Sequence, residues 1–73
     1  MKPLFITRHA LLRVRQREIT LQQVKTVIRE PDLKGFARHG RLKAQKQFGD
    51  RELIVIYAPA KSVFILVTAY WRD

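Results

Sequence analysis

Apolar residues recur at a helical spacing in the first part of the chain and at a strand spacing in the rest. Thr7 can cap a first helix over about residues 8–18, because its hydroxyl can accept an N–H of the first turn. Thr20 opens a second helix, in which Thr20 and Gln23 have the spacing of a capping box. Pro31 ends this helix, since the residue before a proline is disfavoured in the α conformation.

The second half of the chain alternates apolar and polar residues in segments that turn sequences separate. The predicted strands cover residues 35–39, 41–48, 52–57 and 62–71. The last segment is apolar on both faces, which indicates a central strand that pairs antiparallel with its neighbour. This order predicts an α+β fold in a single domain over residues 1–73, with two N-terminal helices on one face of a sheet of three or four antiparallel strands.

Two short helices can cover only one face of such a sheet. Simple alternation puts Phe64, Leu66, Thr68 and Tyr70 on one face of the last strand, and the remaining apolar residues on the other. One of these rows therefore lacks an obvious cover within the chain. Either a protein partner or a second copy of the chain covers it, as in a homodimer, or the curled sheet and residues 4–6 do so.

Length and cysteine content limit the class of protein. The chain has 73 residues and no cysteine. This length allows one domain near the lower limit for a self-supporting core. The absence of cysteine excludes a disulfide framework and fits the cytosol, so we expect a cytoplasmic protein. We expect no membrane segment, because no apolar run is long enough, and no signal peptide, because an arginine comes too early.

The formal charge of +9 is the strongest indication of a partner. The net charge is +5 in residues 1–30, +3 in residues 31–50 and +1 in residues 51–73. Such an excess favours nucleic acid, an acidic protein or an anionic membrane surface. The six acidic residues form no convincing set of metal ligands, and no nucleotide-binding motif is present, so we expect neither a metal nor a cofactor.

Three residues of the first helix could carry chemistry. His9, Arg13 and Arg17 are spaced four apart, which places them on one helical face beside the predicted core. A histidine beside arginines can move a proton next to fixed positive charge, and metal-free RNA cleavage needs both. A solvated basic helix face has the same spacing, and from spacing alone it is the more common explanation.

The strands add further candidates. Lys46 falls on the apolar face of its strand, where it could bind a phosphate or act as an acid, or could block edge-to-edge strand pairing. Thr68 and Tyr70 share a face, and could position a substrate or be hydrogen-bonded core residues. Arg51 could be a phosphate contact or a solvated charge beside a turn. His39, next to Gly40, is interpreted as a turn residue.

Short motifs extend over nearly the whole chain: ITRHA at 6–10, EPD at 30–32, GRL at 40–42, FGDREL at 48–53 and VTAYWR at 67–72. In this order they resemble a family of small prokaryotic proteins that is similar to the BrnT-type and RelE-type toxins of toxin–antitoxin pairs. The resemblance implies a fold shared with barnase-like and colicin-type ribonucleases. It also implies a metal-independent endoribonuclease, which uses the RNA 2′-hydroxyl and is neutralised by a small antitoxin.

The resemblance also implies roles for individual residues. The residues that match the family's catalytic positions are His9, Arg13, Arg17, Lys46, Thr68 and Tyr70. On the same basic surface, the expected RNA contacts are Arg8, Arg41, Lys43 and Arg51. The substrate would be RNA, either free or on the ribosome, and the high positive charge would favour an acidic antitoxin as partner.

Two other functions would use the same features without catalysis. A non-catalytic RNA-binding module would need only the basic surface, and its affinity would fall steeply with salt. An interaction protein would instead use the uncovered apolar sheet face, where a charged residue in place of Phe64 or Leu66 would abolish association.

Overall fold

The chain begins with a short strand that the apolar pattern did not predict. The structure is a computed structural model and describes residues 2–73. Its elements, in chain order, are β1 (Leu4–Ile6), α1 (Arg8–Gln16), α2 (Leu21–Arg29), β2 (Leu33–Phe36), a 3₁₀ turn (Arg38–Gly40), β3 (Leu42–Phe48), β4 (Arg51–Pro59) and β5 (Phe64–Arg72).

Local side-chain signals define both helices, as predicted. The Thr7 hydroxyl accepts a hydrogen bond from Ala10 N at 3.1 Å and caps α1, which ends at Gln16 rather than at residue 18. In α2, Thr20 and Gln23 form both bonds of the capping box, at 3.0 and 2.9 Å. These caps satisfy N–H groups that have no partner within the helix.

The five strands form one mixed sheet in the order β1-β5-β4-β3-β2. The four later strands are antiparallel to their neighbours, whereas β1 runs parallel to β5. The α+β class, the two helices and the antiparallel pairing of four strands are confirmed, but the prediction missed a fifth strand, which makes the sheet mixed. The reason is β1, whose three residues are too few to show an alternating pattern.

Both helices pack on one face of this sheet and enclose the core. Helix α1 lies against β5, and α2 lies against β4 and β3. The residues that are fully inaccessible to solvent in this core are Ala10, Val24, Val27, Ala44, Leu53, Val55 and Ala69. Within residues 2–73, no helix has the length and apolarity needed to cross a membrane.

A bulge in β5 changes which residues face the helices. Tyr57 pairs with Leu66 and Ile56 pairs with Thr68, so Val67 has no partner in the register. Leu66 and Ala69 consequently both belong to the core beneath the helices. The prediction that Leu66 shares a face with Thr68 and Tyr70 is wrong, because simple alternation does not hold across a bulge.

Candidate functional site

The sheet face opposite the helices presents three cross-strand rows of side chains, which we call the open face. Each row runs from β3 through β4 to β5 and is fixed by the pairing register. The rows are Lys43–Ile56–Thr68, Gln45–Ile54–Tyr70 and Gln47–Glu52–Arg72. In each row a polar side chain of β3 lies two strand spacings, about 10 Å, from a polar or aromatic side chain of β5.

The centre of the open face is apolar and well covered. Ile54 is completely buried although no helix lies over it, and it stands outside the main core cluster. Its row partners are Gln45, which is 8% exposed, and Tyr70, which is 37% exposed. Neighbouring side chains therefore cover Ile54, and in this row the side chain that a ligand would meet is Tyr70.

The opposite charges on the open face lie in the third row. Arg72 makes a salt bridge with Glu52, so the Glu52 carboxylate already has a partner. Lys43 is half-buried, and Tyr70 reaches solvent. The face therefore offers a cation and a phenol in adjacent rows, both available to a ligand.

Arg17 and Thr68 are brought together at the end of α1. The Arg17 guanidinium donates to the Thr68 hydroxyl at 3.2 Å and to the Ala69 carbonyl at 2.8 Å. In return, Trp71 Nε1 donates to the Arg17 carbonyl at 3.0 Å. Strand β1 pairs with β5 only over residues 64–66, so these bonds fasten the end of α1 to the part of β5 that β1 leaves uncovered.

We predict that Arg17→Ala lowers the free energy of unfolding by about 1–3 kcal/mol, since it removes charge-assisted hydrogen bonds to partly buried groups. Urea denaturation of the purified protein measures this change. Arg13→Ala is the matched control, because Arg13 is exposed on α1, about one turn before Arg17. Equal stability of the Arg17→Ala variant and the wild type would contradict the structural role.

Lys46 lies on the helix side of β3, as alternation predicted, and contacts the end of α2. Its ammonium donates to the Glu30 carbonyl at 3.1 Å and is 3.6 Å from a carboxylate oxygen of Asp32. A cation is favourable at a helix C-terminus. The hydrogen bond from Gln47 N lowers the pKa of Asp32 below its usual value, and the Lys46 charge lowers it further.

Edge protection, the structural alternative considered for Lys46, is wrong. Strand β3 is an interior strand, because β2 pairs along its other side. The contacts with Glu30 and Asp32 instead hold Lys46 within the helix layer, whereas Tyr70 is on the opposite face of the sheet.

His9 and Arg13 are exposed on α1, in the helix layer, and so is Arg8. The six predicted catalytic residues thus do not meet in one place. Arg17 contacts Thr68, Lys46 is at the end of α2, and Tyr70 is on the open face.

The four predicted RNA contacts also lie in separate parts of the structure. Lys43 is on the open face, and Arg41 precedes its strand. Arg51 lies over the Trp71 ring, 4.1 Å from its centroid, in a cation–π contact on the helix side. Arg8 is on α1, so Lys43 is the one predicted RNA contact that lies in the three rows of the open face.

The sequence interpretation did not assign a role to Gln45, Gln47 or Arg72, although they belong to the open face. The signal that could have identified them is the turn at Gly49–Asp50. It pairs Phe48 with Arg51 and so fixes the β3–β4 register. The β5 residues of the same rows depend on the bulge, which gives no comparable local signal.

Among residues 2–73, no group of three or more His, Asp or Glu side chains is arranged to hold a metal ion.

Comparisons with known proteins gave one family. Neither the curated proteins nor the solved structures contain a significant match to the chain. The model of a domain of unknown function, DUF4258, matches residues 6–71, and this covers nearly all of the sequence. The chain therefore belongs to the DUF4258 family.

Proposed function

We propose that the protein binds RNA on the open face and cleaves it without a metal, as a toxin-like endoribonuclease. The observation that carries this proposal is the register, which places Lys43 and Tyr70 in adjacent rows of a helix-free face. The formal charge of +9 supports an anionic ligand. Aromatic and basic groups on an exposed sheet face suit a single-stranded RNA segment, whose bases stack while its phosphates meet cations.

The proposed reaction begins with the 2′-hydroxyl next to the scissile phosphate. Its oxygen forms a bond to phosphorus while the bond from phosphorus to the 5′-oxygen breaks. The 2′ proton passes to a base, and a proton is delivered to the departing 5′-oxygen. The products are a 2′,3′-cyclic phosphate and a 5′-hydroxyl, with no oxidant or reductant involved.

The open face offers groups for these steps. The Lys43 ammonium would neutralise the charge that builds up on the phosphate oxygens. The Tyr70 phenol would exchange a proton with the substrate. Glu52 is paired with Arg72, so in this proposal it does not act as the base. His9, which the resemblance assigns to catalysis, has no role because it is in the helix layer.

The proposal also includes a toxin-like fold, an antitoxin partner and a cytoplasmic location. Two helices on one side of a sheet with a free opposite face are the arrangement expected of a RelE-like or BrnT-like toxin. An acidic antitoxin would then be the natural protein partner of so basic a chain, and the cytoplasm the natural location. A neighbouring gene for a small acidic protein would support this reading.

A non-catalytic RNA-binding module is the second candidate. It is favoured by the dispersion of the six predicted catalytic residues over the helix layer and the open face. Incubation of the purified protein with RNA in excess EDTA, with and without ribosomes, separates the two. Cleavage that leaves cyclic phosphate ends supports the enzyme, whereas intact but bound RNA supports the module.

We predict that Lys43→Glu weakens RNA binding about tenfold and makes the affinity less dependent on salt, because a phosphate contact is lost. Lys25→Glu is the matched control. It changes the net charge equally, but Lys25 is exposed on α2. Fluorescence anisotropy with a labelled oligoribonucleotide at several salt concentrations measures both. If Lys25→Glu weakens binding as much as Lys43→Glu, overall charge drives binding and the open face is not the RNA site.

A further inference from the structure

Strand β2 forms an unpaired edge of the sheet, and two of its own large apolar side chains are exposed to solvent. All four of its residues are exposed, with Leu33 at 62% and Phe36 at 88%. β2 pairs with β3 along one side only. An exposed edge strand is a template for pairing with another chain unless charge, proline or a covering element prevents it.

The backbone groups available at this edge can be identified. The Ala37 N–H donates to the Arg41 carbonyl at 2.8 Å, toward the β3 side of the hairpin. In an antiparallel pair, successive residues direct their N–H and C=O groups alternately toward and away from the partner strand. Lys34 and Phe36 therefore direct theirs outward, where an added strand would form its hydrogen bonds.

The charges around the edge discriminate between partners. Lys34 is on the edge strand itself, Lys43 is opposite Gly35, and Arg38 is in the following turn. The nearby Asp32 carboxylate accepts from Gln47 N and faces Lys46, so it does not offset these cations. A second copy would place like charges opposite one another, which is unfavourable, whereas an acidic strand would pair with them.

A cavity beside the edge gives room for a side chain of the added strand. It has a volume of about 260 Å³ and is lined by Leu33, Lys34, Gly35, Lys43 and Gln45. Gly35 leaves it open, since a Cβ placed there would meet no atom within 4 Å. The alternate side chains of the added strand would lie on the other side of the sheet, near Phe36.

We propose that the β2 edge binds an extended acidic segment of another protein by strand addition. One apolar side chain of that segment enters the cavity at Gly35, a neighbouring side chain packs on Phe36, and its carboxylates pair with Lys34 and Lys43. This site is distinct from the rows of the open face, apart from the shared margin at Lys43 and Gln45. It requires neither RNA binding nor cleavage.

A synthetic eight-residue peptide that repeats Glu-Glu-Val-Val tests the proposal, because in a strand this order puts carboxylates and apolar side chains on both faces. A peptide that repeats Lys-Lys-Val-Val is its control, and below they are called the Glu peptide and the Lys peptide. NMR titration of the ¹⁵N-labelled full chain should show binding of the Glu peptide alone. Hydrogen exchange should slow at the Lys34 and Phe36 amides. Phe36→Pro removes an outward N–H and the aromatic ring, and should weaken binding at least tenfold while leaving RNA affinity unchanged.

A second variant keeps the test valid if Phe36→Pro does not fold. Lys34→Glu should weaken binding of the Glu peptide and allow the Lys peptide to bind. Three outcomes of the titration would overturn the proposal. They are no binding of the Glu peptide to the wild type, binding by both variants as tight as that of the wild type, and chemical shift changes centred on α1. A dimer in sedimentation that Phe36→Pro separates would also overturn it, because the occupant would then be a second copy.

Discussion

Replacing Leu53 by alanine should lower the free energy of unfolding by about 3–5 kcal/mol, the largest loss of stability that we expect from a single substitution in this chain. Leu53 is completely buried in β4 and lies in register with Lys46 on β3 and Trp71 on β5. Truncating a buried leucine costs about 3–5 kcal/mol, from lost transfer free energy and from the cavity left behind. A domain of this length has a total stability of about 4–11 kcal/mol, so this single loss removes much of it.

Thermal and urea denaturation followed by circular dichroism measure the change. Lys25→Ala is the control, because Lys25 is exposed on α2 and alanine is a good helix former, so stability should stay within about 0.5 kcal/mol. A Leu53→Ala variant that loses less than about 1 kcal/mol would mean that the core beneath the helices is not closed around this side chain.

The parts of the fold that could be predicted are those set by neighbours in sequence. The limits of α2 follow from the capping box of Thr20 and Gln23 and from the proline after Glu30, all within a few residues of the helix ends. The hairpin of β3 and β4 follows in the same way from Gly49, whose positive φ of 65° suits glycine.

The parts that could not be predicted depend on contacts between distant residues. Strand β1 is defined by its parallel pairing with β5, some 60 residues later in the chain, and three residues carry no period of their own. The bulge at Val67 likewise has no local signal, yet it decides which residues of β5 face the helices.

The same distinction applies to the candidate site. Thr68 and Tyr70 share a face as predicted, because both residues follow the bulge at Val67 and simple alternation holds between them. The engagement of Arg17 with Thr68 and Ala69 spans more than 50 residues and could not be anticipated from helical spacing. Spacing alone therefore identified candidate residues but did not show which of them lie together.

Replacing Tyr70 by phenylalanine should reduce RNA cleavage about 100-fold or more while RNA affinity changes little. The substitution keeps the aromatic ring for base stacking and removes only the hydroxyl that would exchange the proton. Tyr70 is 37% exposed and the phenylalanine ring keeps the contact with Ile54, its neighbour in the row, so the fold should tolerate the change. The measurement is single-turnover cleavage of a labelled oligoribonucleotide in excess EDTA, beside a binding isotherm for the same RNA.

His9→Ala is the decisive comparison for this prediction, because His9 is exposed on α1 and the resemblance to toxins assigns it to catalysis. If the open face is the reaction site, His9→Ala retains most of the wild-type rate. A large loss in His9→Ala together with normal cleavage by Tyr70→Phe would move the reaction to the helix layer. The two variants therefore distinguish the two surfaces on which the predicted catalytic residues are divided, by a difference in rate that overall charge cannot produce.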